Sequence, residues 1–89
     1  MPRDKYATGR ANIRTRAVER ALIEAGASPW MGGRTKDTYT EHGAYGEKQA
    51  VVNAVSALGW KGVTVVDGGE QYNRCSMKNV HVYWIRVPK

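Results

Sequence analysis

Phenylalanine is absent from this 89-residue chain, cysteine occurs once, proline three times, and carboxylates number 8 against 14 lysines and arginines. A single cysteine, Cys75, excludes an internal disulfide, so the fold cannot rest on the bridges that staple small secreted domains. No apolar run approaches the ~20 residues of a membrane span, and nothing resembles a secretory signal. These absences lead us to expect a reduced, cytoplasmic protein without a membrane partner. Metal-ligand spacing is also missing. His42, Cys75 and His81 form neither a CxxC nor an HxxxH pair, so no metal is expected. Gly32-Gly-Arg-Thr-Lys36 lacks the G-x4-G-K frame of a phosphate loop, and no small-molecule cofactor is expected either.

What the chain has in excess is positive charge, +6 overall with a pI near 9.8. Such a balance attracts polyanions over long range, chiefly nucleic acid or an acidic protein surface. The excess is uneven: Met1–Arg20 holds six basic and two acidic residues, hence +4. With three Trp, five Tyr and no Phe, every aromatic side chain carries a polar handle. Aromatics of that type are enriched at interfaces and at half-buried positions.

At this length the chain makes one domain, small enough that a single core truncation is expensive. The stretch Gly46–Asp67 organises it. Between Lys48 and Lys61 there is no charge, and Val51, Ala54, Val55 and Leu58 recur with the spacing of a helical face. Ala50, Val52 and Ala57 widen that face, so this helix is expected to be covered on most sides. Gly59 supplies its C-cap, and Val63–Val66 reads as a strand. Residues 1–9 read as a mobile basic arm and 10–89 as the folded domain. A first helix begins between Arg10 and Arg16, capped by Asn12 or Thr15, and Gly26 ends it. Its apolar face is Ala17, Val18, Ala21, Leu22 and Ala25, with Arg14 pointing awkwardly along it. Residues 27–45 read as a long loop holding a short edge strand at Asp37–Thr40 and a Trp30-Met31 plug. Asp67-Gly68-Gly69 reads as a turn, followed by a short strand around Gln71–Cys75. The clearest strand is Val80–Val87. Alternation puts Val80, Val82, Trp84 and Arg86 on one face, and His81, Tyr83, Ile85 and Val87 on the other. The expected fold class is therefore α+β: two helices packed on one face of a small, mostly antiparallel sheet of 2–4 strands.

Function is read from charge and aromatics, because no motif names an activity. The expected contact residues are Arg10, Arg14, Arg16, Arg20, Arg34, Lys36, Arg74, Lys78, Tyr83 and Trp84. Cationic groups neutralise phosphates, and rings stack on bases. The leading expectation is a small, basic, non-catalytic protein that contacts RNA or DNA, as monomer or homodimer. The competing one is an interaction or inhibitor protein of the mobile-element type, directed at an acidic or nucleoprotein partner, since binding hot spots favour Tyr, Trp and Arg. A winged helix-turn-helix conflicts with the lack of charge in helix 46–58, which would have to read base edges. Gly43-Ala-Tyr-Gly46 has the bare G-x-x-G form of a KH loop but no basic residue inside it. A small nuclease stands third. It would draw on Glu41, His42, Glu47 and His81 as acid and base, or on Asp67, Glu70 and Lys78 around a metal. Glu47 and Asp67 are as well explained by helix-dipole and turn chemistry. Cys75 is expected in a half-buried position rather than as a nucleophile.

Overall fold

The computed structural model describes residues 9–89, the side chains of 10–13 and 31–33 excepted. The proposed arm thus lies outside the described residues, save for Gly9, which opens the first helix. Among the described residues, two helices and four strands follow in the order α1 (Gly9–Ala25), β1 (Ser28–Thr35), β2 (Tyr39–Tyr45), α2 (Lys48–Leu58), β3 (Thr64–Asn73) and β4 (Lys78–Pro88). The strands form one antiparallel sheet, ordered β1-β2-β4-β3. Two hairpins, β1–β2 and β3–β4, are thereby joined along β2 and β4, the central pair. The α+β class stands, and no helix among the described residues is long and apolar enough to cross a membrane.

The core follows from the helical spacing. Val18 and Leu22 of α1 meet Val51 and Ala54 of α2 in one buried cluster with Ala27, Ala44, Ile85 and Val87. Tyr83, Val65, Val63 and Trp60 pack against its margin. Gly26 (φ 93°) ends α1 and Gly59 (φ 67°) ends α2, the left-handed positions where a Cβ is costly.

Four expectations change. Neither Asn12 nor Thr15 caps α1, because the helix already begins at Gly9. Arg14 stays one turn from Val18 on the apolar stripe, but its guanidinium leaves the core edge and lies 5.6 Å from the Trp60 ring centre. Long cationic side chains escape burial in this way. The segment 27–45 is a β-hairpin rather than a loop, turning at Lys36–Thr38, where the Lys36 amide donates to the Tyr39 carbonyl (2.8 Å). Its glycines and Pro29 hid β1 from propensity, and two irregularities in the β1–β2 register accommodate them. Asp67-Gly68-Gly69 does not turn the chain; it is a bulge inside a ten-residue β3, with Gly69 at φ 75°. The reversal comes later, at residues 74–77, where the Asn73 carboxamide oxygen accepts from the Cys75 (2.8 Å) and Ser76 (3.4 Å) amides. Helix α2 is covered on one side only: Val51 and Ala54 are buried, while Gln49, Asn53, Ser56 and Ala57 are exposed. Its apolar composition is wider than its buried stripe.

Because Leu22 is fully buried among both helices and the sheet, Leu22→Ala should cost about 2–4 kcal/mol. In a domain of this size that lowers the thermal midpoint by roughly 10–20 °C in calorimetry.

Candidate functional site

Alternation on the central strands separates two surfaces. His42, Ala44, Tyr83, Ile85 and Val87 lie on the side of the buried cluster. Tyr39, Glu41, Gly43, Tyr45, Val82, Trp84 and Arg86 lie on the other. That second surface carries the densest polar and aromatic geometry in the molecule.

Its centre is Glu41 on β2, whose carboxylate is 5% exposed. Arg34 of β1 donates to one oxygen (2.9 Å) and Arg86 of β4 to the other (3.0 Å), so three adjacent strands are tied through one acid. Both cations are stacked as well as paired. The Arg34 guanidinium lies 4.5 Å from the Trp84 ring centre and that of Arg86 lies 4.7 Å from the Tyr39 ring centre. Each planar guanidinium is thus fixed along its edge by the carboxylate and across its face by a ring.

Glycine makes room for the tryptophans. A Cβ on Gly43 would stand 3.0 Å from the Trp30 side chain and 3.1 Å from Trp84. One on Gly68 would meet the Trp84 indole nitrogen at 2.5 Å. The indole therefore bridges β2 and β3, seated on backbone at both ends. Trp30, in the first irregularity of β1, sets its ring edge-on to Tyr45 at 5.7 Å. Val82, beside Tyr45 and Trp84, is fully buried on this same side. The hairpin 28–45 does not fold over this surface; it forms part of it and contributes Trp30.

The sequence-predicted residues divide among several places. Arg34 and Trp84 meet here, but Arg34 is engaged with Glu41 rather than free for phosphate. Tyr83 is turned to the opposite side, where its ring lies 4.8 Å from His81. Arg16 and Arg20 are exposed on the outer side of α1, Lys36 in the β1–β2 turn, Arg74 in the β3–β4 turn and Lys78 at the start of β4. The Arg10 side chain lies outside those described. Glu41, Arg86, Tyr39, Trp30 and Tyr45 were not among the predicted contacts. Alternation around Glu41 was a usable signal, hidden by assigning its segment to a loop.

Of the acid and base candidates, Glu41, His42 and His81 do not meet. Glu41 and His42 are neighbours on one strand and so point to opposite sides. His81 instead pairs with Asp67 (2.6 Å) at an exposed position. The Gly69 amide donates to the same Asp67 oxygen (2.8 Å); this bond, helped by His81, holds that carboxyl below its ordinary range. Cys75 is exposed, not half-buried. Among the described residues, no three His, Cys, Asp or Glu side chains are grouped to hold a metal ion. The chain matches no known protein family, no curated protein and no solved structure.

Two buried titratable groups predict an acid response. Burial pushes the His42 imidazole below its ordinary value and the nearby Arg14 charge lowers it further, so it is neutral at pH 7. A base depressed by folding stabilises fully above its unfolded value of about 6.5 and loses that contribution as the pH falls below it. Stability should thus begin to decline below about pH 6.5 in denaturant titrations, and His42→Leu should remove this first step. For Glu41, burial raises the carboxyl, but the hydrogen bonds and charges of Arg86 and Arg34 outweigh it and hold it low. Its contribution is present above the unfolded value of about 4.3 and disappears as the pH falls through the lower folded value. Glu41→Gln should flatten this second step and cost about 1–2 kcal/mol at neutral pH.

Proposed function

We propose that the protein is a non-catalytic nucleic-acid-binding domain that takes single strands across the aromatic side of its sheet, with the helices covering the other side. The observation that carries this reading is the row Trp30, Tyr45, Trp84, Arg34, Arg86 and Tyr39 on one surface. Splayed bases stack on aromatic rings and equally on guanidinium planes; here Arg34 and Arg86, held over Trp84 and Tyr39, supply the planes, and the Trp30–Tyr45 pair supplies rings. Pre-organisation matters because an arginine already held by Glu41 and a ring loses little rotamer freedom on binding. The central carboxylate does not oppose the reading, since two guanidiniums share it and the trio keeps a net charge of +1. Phosphates of a strand lying on this surface would meet Lys36 at the hairpin turn. The exposed α1 arginines supply long-range attraction from the other side rather than base contacts.

A protein partner is the second reading. It is favoured by the same Tyr, Trp and Arg composition, and by the anchoring of Arg34 and Arg86 on Glu41, which suits a pre-formed hot spot.

Mobility shift against single-stranded RNA, tRNA and duplex DNA at two salt concentrations separates the readings. We expect single-stranded RNA to shift most, more weakly at higher salt, and Trp30 and Trp84 fluorescence to change on binding. Arg34→Ala should weaken binding by about 1–2 kcal/mol through loss of a stacking plane. Arg16→Glu with Arg20→Glu should mainly reduce the salt dependence. Failure of all three nucleic acids to shift at low salt would favour a protein target.

A further inference from the structure

At one end of the aromatic side the surface deepens into a cleft of about 300 Å³, lined by Thr38, Tyr39, Gly62, Thr64, Arg86 and Pro88. We infer that this cleft takes the terminal phosphate of a bound strand, an inference that rests on the single-strand reading above. The volume is at the lower limit of small-ligand clefts, suited to a phosphate and part of its sugar rather than a run of nucleotides.

Four pieces of chain build the wall: the β1–β2 turn with the start of β2, the α2–β3 connection, β3 and β4. Strand register brings them together, because Tyr39 stands opposite Pro88 and Thr64 opposite Arg86. Each polar side chain in this lining is able to donate a hydrogen bond: two threonine hydroxyls, a phenol and a guanidinium. No carboxylate is among the lining residues. A tetrahedral phosphate offers acceptor oxygens in several directions, matching donors that approach from separate strands; a planar carboxylate does not.

Arg86 gives the cleft its charge in a fixed pose. Its Nε is spent on Glu41 at 3.0 Å and its face lies over Tyr39, which leaves the two terminal nitrogens for a ligand. That pair is the fork that grips phosphate oxygens. A Cβ on Gly62 would stand 3.0 Å from the Pro88 ring, so the α2–β3 connection packs against the end of β4 and bounds the cleft there. The cleft lies where β2 and β3 begin and β4 ends, so a strand laid along the aromatic row reaches it at the end of the sheet, which suits an end group better than an internal phosphodiester.

The test uses one single-stranded RNA sequence in three forms: 5′-phosphorylated, 3′-phosphorylated and hydroxyl at both ends. Affinities are measured by fluorescence anisotropy at constant ionic strength. One phosphorylated form is expected to bind about tenfold tighter than the hydroxyl form, the scale of two or three charge-assisted hydrogen bonds net of solvation. In Thr38→Val/Thr64→Val, with folding verified by thermal midpoint, this advantage should shrink to threefold or less. Equal affinity of the three RNAs overturns the inference, and binding of the hydroxyl form in that case leaves the single-strand reading intact. An advantage that survives undiminished in the double variant places the phosphate elsewhere and also overturns it. Absence of binding by every form sinks both readings together.

Discussion

A single buried carboxylate, Glu41, sets the geometry of one entire side of this molecule. Its two oxygens are taken by arginines from the strands on either side, β1 and β4, so the charge is compensated within the sheet. A buried acid left unpaired would be expensive, and the pairing demands that both guanidiniums lie close to the sheet. Once there, they cover the rings of Trp84 and Tyr39. The acid thus aligns two cations, and through them two aromatic rings, across three strands.

Space for that arrangement comes from glycine rather than from charge. Trp84 lies between Gly43 and Gly68, positions where a Cβ would collide with it or with Trp30. Two residues that weaken strands by propensity are therefore used in β2 and β3 to admit an indole against backbone. The bulge at Gly68-Gly69 serves the same end, interrupting the β3–β4 register near the indole. On the other side, packing is ordinary: Val18, Leu22, Val51, Ala54, Ile85 and Val87 form the main hydrophobic cluster. The work of stability and the presentation of chemistry are divided between the two sides of one small sheet.

The same division separates exposed charge from stacked charge. Exposed arginines on α1 and lysines at the turns give the molecule its long-range field. The aromatic side, whose cations are half-neutralised, offers shape and stacking instead. Under the proposed reading, field and contact are separate properties carried by different residues.

Much of the secondary structure was legible from local pattern. The 3.6 period over 51–58, the glycine at 59 and the β-branched and aromatic run of 80–87 depend on neighbours in sequence, and they specified α2, its cap and β4. The apolar face of α1 was equally plain. Segment 28–45 was not, because Pro29, Gly32, Gly33 and Gly43 have low strand propensity; β1 is held by its pairing with β2, β2 by its pairing with β4, and Gly43 by the close approach of Trp30 and Trp84. Alternation separated Tyr83 from Trp84 but left open which of them would face the helices. Tertiary packing decided it: Ile85 and Val87 join the cluster of α1 and α2, which turns Trp84 and Arg86 to the opposite side. The meeting of Arg34, Glu41 and Arg86 joins residues 45 positions apart, and no local period encodes it. Sequence determined the helices, β4 and the charge, because these rest on local pattern; the pairing of β2 with β1 and β4 determined the rest of the sheet and which side chains stand together.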